Sequence, residues 1–395
     1  MKINKNNTVN NIACLSIFIL ISTLYSSLDI LAYIAFFLLF SVILATGKFK
    51  SINRIEVIFS ALILSTMFSL IGSIDLSLSL VPSIYFLFII IFSLTLGKSA
   101  VCIVDFEKIL FFSVLGFIVL NLRSLFGDFT NVRFSGVAGQ PNALGLISGT
   151  GFVISVAYLY LFAQSRRLSK PMAVLAISTS LFLIISSGSR GAIISILVAL
   201  LYLFLKNVRN NFKAIVSISV LLTTILVVFY DKIIELPLYS RLLAVPSALG
   251  LNLGGNNIEA EFANATDDTR IDIASTAFGA FLSSPIFGNG INTFSYFSEF
   301  VYTHNSYLEI LFSQGLFGII LYGSFILYSL MDRSKNEKVF FKKLVRSKKF
   351  VIIYFIFAGF SIPNFQNKSQ IVVYSFILIS ILVSLQKTRN TSESQ

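Results

Sequence analysis

The sequence predicts an all-α polytopic membrane protein with about twelve transmembrane helices and one long loop on the outer face that contains short helices. Charged residues make up 12% of the chain and apolar residues 56%, whereas a soluble domain carries about a quarter charged residues. The apolar runs are roughly 20 residues long and lack the strict alternation of barrel strands. Helices are favoured because they satisfy their own backbone polar groups inside a bilayer.

The apolar runs divide the chain into helices in residues 1–230, a large outer loop in residues 231–304, and further helices with a tail in residues 305–395. The first run begins at Ile12 and has no convincing cleavage site behind it, so we interpret it as a helix and not as a signal peptide. The predicted runs are 12–28, 29–46, 57–74, 79–97, 109–123, 143–163, 172–187, 191–205, 214–230, 306–330, 350–362 and 370–385.

The basic residues of the short loops predict the orientation of these helices. With the N-terminus in the cytoplasm, most lysines and arginines fall in cytoplasmic loops, of which residues 331–349 form the last, and the acidic residues show the opposite bias. Both termini are then cytoplasmic. The formal net charge of +12 is explained as an orientation signal spread along a membrane surface, and no nucleic-acid partner is expected.

Cysteine and histidine are scarce. The two cysteines, Cys14 and Cys102, lie outside the long outer loop, so a disulfide framework is not expected. A single histidine cannot build a zinc site from several histidines. The sequence has no Walker loop, paired-cysteine motif, nucleophile elbow or dinucleotide fingerprint. We expect neither a metal nor a cofactor.

A small set of basic residues breaks the orientation pattern by lying on the outer side. Most members of this set are arginines, whose guanidinium group suits bidentate binding of phosphate. Binding or catalysis explains these outer-side basic residues better than a membrane-orientation signal does. The set comprises Arg123, Arg133, Arg190, Lys232, Arg241, Arg270 and Lys368.

Arg190 lies between two apolar runs that are joined by almost no loop, and glycines flank it at positions 188 and 191. An unpaired charge at membrane depth costs at least about 2.5–3.5 kcal/mol on insertion scales, while glycine allows close approach of a ligand or a tight turn. Arg190 is either a ligand contact or an arginine that extends to the interface from a hairpin tip.

The outer loop is predicted to contain a helix over residues 267–283, with Asp267 or Asp268 as its N-cap and Pro285 ending it. Arg270 opens this helix, either as a ligand contact or as a surface ion pair with a neighbouring aspartate. The apolar positions that recur at helical spacing are Ile271, Ala274, Phe278 and Phe281.

His304, the only histidine, precedes the apolar run 306–330. An interfacial histidine can exchange a proton near neutral pH, although a hydrogen-bonded structural histidine is the alternative. Glu309 either orients His304 or faces the loop. Upstream, the glycine-rich loop that begins at Arg133 ends in Asn142, a predicted N-cap whose helix start could also hold an anion.

These segments, taken in order, resemble the O-antigen ligase and polymerase superfamily of bacterial membrane glycosyltransferases. The resemblance covers residues 133–318 and depends on the order and spacing of motifs that are each weak alone. It implies action on undecaprenyl-diphosphate-linked glycans at the periplasmic face of the inner membrane. The motifs are the loop Arg133–Gly145, Ser189-Arg190-Gly191, the arginine helix that leads into Pro285–Gly290, Phe294, His304–Leu308 and Gly315–Gly318.

Within this superfamily, an outer loop of this modest length and the segment Gly288-Asn289-Gly290 favour an O-antigen polymerase. An O-antigen ligase is the near alternative. The resemblance implies a lipid-linked glycan donor, a glycan acceptor and the bilayer as partners, and a chain-length regulator as a candidate partner. The expected catalytic residues are His304, Arg190 and Arg270. The expected substrate-binding residues are Arg133, Arg241, Asn305, Tyr307 and Asn142, with Tyr302 as a further sugar-stacking candidate.

The sequence disfavours two other functional classes. A transporter for the same lipid-linked glycans would require charges buried along a pathway and broken helices, but the polar groups of this sequence collect on one face. A non-catalytic length regulator would require few spans and a large soluble domain, and this composition does not predict such a domain.

Overall fold

The computed structural model describes residues 5–25, 29–45, 52–102, 106–127, 134–162, 168–206, 257–331, 339–361 and 369–392. All regular structure in these residues is helical, which confirms the predicted all-α class. The α-helices are α1 (Lys5–Ser22), α2 (Asp29–Ala45), α3 (Arg54–Ile71), α4 (Leu76–Cys102), α5 (Phe106–Leu125), α6 (Pro141–Phe162), α7 (Ser169–Ser187), α8 (190–206), α9 (Asn257–Ser283), α10 (Ser306–Leu330), α11 (Val339–Ala358) and α12 (Gln370–Ser392).

Within the described residues, six helices are long and apolar enough to cross a membrane: α3, α4, α5, α6, α7 and α10. Shorter apolar helices occur at Asn11–Ser22 and Gln370–Leu385. The polytopic character is therefore supported, while the count of about twelve spans stays a prediction. The predicted run 214–230 and the first part of the outer loop, 231–256, lie outside the described residues.

The predicted helix start near residue 350 is wrong, because α11 begins at Val339. The cytoplasmic location of residues 331–349 stays a prediction. Phe341 and Leu344 are buried on one face of this helical extension, while Lys343 lies over the ring of Tyr160 at 5.8 Å. The lysines and arginines in this part of the helix lower the local hydropathy. The pattern of apolar runs therefore does not reveal its amphipathic first turns.

Contacts between the connecting segments group them at two ends of the bundle. At one end, Glu56 of α3 forms a buried ion pair with Lys98 of α4 at 2.9 Å. At the other end, Ile74 N–H donates to Asn289 C=O at 3.1 Å. We call this second end the His304 end; it contains residues 72–75, 134–140, 188–190, 284–305 and 359–361. These are segments that the basic-residue pattern assigns to the outer side.

Helix α10 is broken at Gly315, whose φ of 66° and ψ of −162° are not helical. The segment 284–290, here called the insert, occupies the break. Leu316 N–H donates to Pro285 C=O at 2.8 Å and Phe317 N–H donates to Ile286 C=O at 3.1 Å. In return, Asn289 N–H donates to Phe312 C=O at 2.9 Å. Backbone groups that the break would leave unsatisfied are thus paired within the protein.

The break bends α10 strongly. The rings of Tyr307 and Tyr322 lie 6.5 Å apart between centroids, although fifteen residues of straight helix rise about 22 Å. The first half of α10 therefore turns back toward the bundle. Its first residue, Ser306, donates its N–H to Gly359 C=O at 2.7 Å. The bend brings His304 beside the end of α11.

The outer-loop helix is longer than predicted and buries a different face. It begins at Asn257, so neither predicted N-cap aspartate is correct, but it ends at Ser283 as expected. Its buried residues are Ile273, Ala277, Ala280 and Phe281, of which the first three pack with Phe294 and Phe312. Of the four predicted apolar positions, Phe281 is therefore buried as expected. Ile271 and Phe278, which we predicted for the apolar face, are 67% and 51% exposed. Both faces carry apolar residues, so periodicity alone could not select the correct one.

We expect Gly315→Ala to destabilise the protein, because alanine is strained in this conformation and its β-carbon would overlap Ile286 C=O. The expected loss in the free energy of unfolding is about 2–4 kcal/mol. Gly323→Ala is the matched control in the same helix, because a β-carbon added at that position would meet no atom within 4 Å. Thermal unfolding in detergent measures both variants. Equal unfolding midpoints for the two variants would contradict the role given to Gly315.

Candidate active site

Three helices begin close together at the His304 end. Gly145, in the first turns of α6, packs against Ser189, which immediately precedes α8. Gly191, the second residue of α8, packs against Ser361 after α11. A β-carbon at either glycine would overlap the facing serine. These two glycines therefore allow the start of α6 to contact Ser189 before α8, and the start of α8 to contact Ser361 after α11.

The start of α10 closes this group. Ser306 N–H donates to Gly359 C=O, two residues before Ser361. On the opposite side, Gln140 Nε2 donates to the Tyr302 hydroxyl at 2.6 Å. The starts of α6, α8 and α10 are thus linked in a ring of contacts that passes beside Arg190 and His304.

This arrangement favours an anion. Each helix start carries a partial positive charge and backbone N–H groups that have no intrahelical acceptor. Such a helix start can bind a phosphate or carboxylate group through its backbone N–H groups and its dipole. The first four amides of α10 are all engaged: Ser306 N–H donates to Gly359 C=O, Tyr307 and Leu308 N–H donate to Asn305 Oδ1 at 2.8 and 3.2 Å, and Glu309 N–H donates to Asn305 C=O. The start of α10 therefore contributes its partial positive charge but no free N–H group.

Arg190 is the first residue of α8 and is half-buried. The preceding turn is fixed by Gly188, which ends α7 in the left-handed conformation with φ of 59°. Phe134 N–H donates to Ser186 C=O at 3.2 Å, which joins the glycine-rich loop to this turn. Arg133 itself lies outside the described residues, so its predicted contact with substrate stays a prediction.

His304 is held between aromatic rings at the edge of the same group. Its ring centroid lies 4.5 Å from that of Tyr302 and 6.2 Å from that of Phe300. Burial lowers the pKa of the imidazole below its usual value, and the positive charge of Arg270 lowers it further. Among the described residues neither ring nitrogen has a hydrogen-bond partner. The imidazole is therefore neutral at neutral pH and can accept a proton.

Arg270 is the second predicted arginine at the site, because its charge lowers the pKa of His304. Arg270 is exposed on α9, and α9 is anchored to α10 by the packing of Ile273 and Ala277 against Phe312. Arg270 is therefore close enough to act on His304 electrostatically. Arg190 lies at the same end of the bundle, because the next residue, Gly191, packs against Ser361, and Gly359 accepts the N–H of Ser306.

The predicted substrate-binding residues have mixed outcomes. Asn305 is the N-cap of α10, and the Tyr307 hydroxyl donates to Ile356 C=O at 2.7 Å. The predicted N-cap role of Asn142 is wrong, because α6 begins at Pro141. Leu144 N–H donates to Gln140 C=O at 3.0 Å, so the helix has already started before Asn142. Arg241 lies outside the described residues.

Two parts of the site were missed in the sequence. Gln140 carries no signal beyond its place before a proline, and its contact with Tyr302 joins segments far apart in the chain. Gly359 and Ser361 lie within the apolar run 350–362, which the sequence predicts to be membrane helix throughout. The end of α11 at Ala358 converts these residues into a turn that faces the site.

Comparison with known proteins identifies the family of this segment. Residues 173–323, about two fifths of the chain, match the family described as O-antigen ligase. This match supports the predicted resemblance of residues 173–323 to the O-antigen ligase and polymerase superfamily, whose members are glycosyltransferase-like enzymes of glycan synthesis. Arg190, Arg270 and His304 all lie within the matched residues. No curated protein sequence matches the chain.

We expect Arg270→Ala to raise the pKa of His304 toward its usual value, because one of the two causes of the lowered pKa is the charge of Arg270. The pKa remains below the usual value because burial persists. Arg270→Lys keeps the charge and should keep the lower pKa. Since the chain has one histidine, the pH dependence of its carbethoxylation, followed by peptide mass spectrometry, reports this residue alone. An unchanged profile in Arg270→Ala would show that the two residues do not interact.

Proposed function

We propose that this protein is an O-antigen or related surface-polysaccharide polymerase. It joins oligosaccharide repeat units carried on undecaprenyl diphosphate at the periplasmic face of the bacterial inner membrane. The observation that carries the proposal is the meeting of three helix starts, two arginines and one neutral histidine at a single end of a membrane bundle. A lipid diphosphate offers the matching chemistry, because its anionic head lies at an interface while its chain stays in the bilayer.

In the proposed reaction, the oxygen of an acceptor hydroxyl forms a bond to the anomeric carbon of the donor sugar. The bond between that carbon and the phosphate oxygen breaks, and the electron pair leaves with the diphosphate. Arg190, Arg270 and the helix starts stabilise the charge that grows on this leaving group. Attack from the face opposite the diphosphate inverts the anomeric centre.

The proton of the acceptor hydroxyl passes to the imidazole of His304. A general base is most effective when its pKa lies near the working pH, and its proton-accepting form predominates when the pKa lies below that pH. Burial and the charge of Arg270 hold the pKa of His304 in that direction. The half-buried ring lies against Tyr302, and this packing limits the directions from which an acceptor hydroxyl can approach.

A ligase that transfers the completed glycan to lipid A-core is the second candidate. The description of the matching family as O-antigen ligase favours it. The donor and the proposed chemistry are the same in both cases, and only the acceptor differs. The site residues described above serve either acceptor.

A transporter for the same lipid-linked glycans gains one supporting feature from the structure. The break in α10 at Gly315 is of the kind that many transporters use. In this protein, however, the break is occupied by the insert, which is hydrogen-bonded to both halves of α10. The break therefore offers no open coordination site, and the grouping of arginines and histidine favours an enzyme.

The proposal predicts that His304→Ala reduces glycan transfer about 100-fold or more, the usual range for loss of a general base. Arg190→Ala and Arg270→Ala are each expected to reduce transfer about 100–1,000-fold, because each removes a charge that stabilises the leaving group. Purified protein in proteoliposomes with a lipid-diphosphate-linked repeat unit provides the assay. Full activity in all three variants would contradict the mechanism.

The control is Arg54→Ala, which removes an exposed arginine from the start of α3 at the opposite end of the bundle. It should leave transfer unchanged.

Surface polysaccharide from a deletion strain then separates the two enzymes. A single repeat unit on lipid A-core indicates a polymerase, whereas long chains left on the lipid carrier with none attached to the core indicate a ligase. An unchanged polysaccharide ladder would remove both assignments for that glycan.

A further inference from the structure

Glu309 is an acidic side chain buried beside the candidate site. It lies in the first turn of α10 and is only 2% exposed. Its Oε2 accepts a hydrogen bond from Thr303 N–H at 2.9 Å. A buried carboxylate is costly unless it is hydrogen-bonded, so its place directly behind the peptide that precedes His304 requires an explanation.

The backbone of His304 is in an unusual conformation. Its φ is 55°, in the left-handed region that few residues other than glycine adopt, at a typical cost of about 1–2 kcal/mol. Such a conformation persists only when neighbouring contacts fix it. Two hydrogen bonds do so here, one on each side of the residue.

On the N-terminal side, Thr303 N–H is held by Glu309. On the C-terminal side, Asn305 caps α10 and its C=O accepts the first helical hydrogen bond, from Glu309 N–H at 2.9 Å. The Thr303 hydroxyl also donates to Asn305 C=O at 2.9 Å. Glu309 thus contacts both flanks of His304 while its side chain points away from solvent.

We propose that Glu309 is a positioning residue that holds His304 in its left-handed conformation and so aims the imidazole at the acceptor hydroxyl. The inference rests on the proposed glycosyl transfer for its catalytic consequence. Its structural part, the orientation of the ring, stands independently. The helix start alone would not require an acid at this position, because Asn305 already caps α10.

The decisive property of Glu309 is a side-chain oxygen at the correct distance from Thr303 N–H. Glutamine keeps such an oxygen at the same length, aspartate is one methylene shorter, and alanine has none. The order of function should therefore be glutamate and glutamine first, then aspartate, and alanine last. A role that depended on the negative charge would instead place glutamine with alanine.

The experiment compares Glu309→Ala, Glu309→Asp and Glu309→Gln with wild type in two measurements. The first is the carbethoxylation rate of His304 at fixed pH, which requires no substrate. The second is the steady-state kinetics of glycan transfer in proteoliposomes. Glu299→Ala is the matched control, because it removes an exposed carboxylate from the same loop five residues before His304.

We expect Glu309→Ala to change the carbethoxylation rate at least about 3-fold and to lower kcat about 10- to 100-fold, the range that misplacement of a catalytic group produces. KM should change less than about 3-fold. Glu309→Gln should restore both measurements to near wild type, and Glu299→Ala should change neither.

Two outcomes would overturn the inference, and two further outcomes are distinguished from them. Wild-type kinetics and carbethoxylation in Glu309→Ala would show that His304 needs no support from Glu309. A defect in Glu309→Gln equal to that in Glu309→Ala would assign the effect to charge. If Glu309→Ala fails to insert, Glu309→Asp and Glu309→Gln still decide between hydrogen bond and charge. If wild type transfers no glycan but carbethoxylation follows the expected order, the proposed function fails while the positioning role stands.

Discussion

The pairing of the insert with the break in α10 is the interaction on which the site depends. At Gly315 the helix loses two of its own hydrogen bonds, and Pro285 and Ile286 supply the replacement acceptors. Because the broken helix can bend, its first half returns toward α11, and His304 lies beside the other helix starts. A straight α10 would carry His304 about 20 Å or more away from Tyr322 along the helix axis.

Small residues make the rest of the site possible. Gly145 lets the start of α6 contact Ser189 before α8, Gly191 lets the start of α8 contact Ser361 after α11, and Gly288 lets the insert lie against the backbone of Ser313. The result is a concentration of partial positive charge, two arginines and one neutral imidazole. Oxygen-rich anions are the natural ligands of such a group.

The chain pattern predicted the helical class and the ends of several helices, and it singled out Arg190, Arg270 and His304, whose catalytic roles stay predictions. These features are local, or follow from the rarity of an outward-facing arginine or histidine. The break at Gly315 was not predicted, because a glycine in an apolar run is compatible with a continuous membrane helix. The contact between Gln140 and Tyr302 was not predicted either, because it joins residues that only the tertiary fold brings together. The buried face of α9 was misassigned because both of its faces carry apolar side chains.

The central claim is that a lipid diphosphate binds at the group formed by Arg190, Arg270 and His304. The most direct test is protection of His304, the single histidine of the chain, from carbethoxylation by undecaprenyl diphosphate in detergent. We predict saturable protection in the wild-type protein and its loss in Arg190→Ala, with undecaprenol, which lacks the diphosphate, giving none. Equal modification rates with and without saturating undecaprenyl diphosphate would contradict the account.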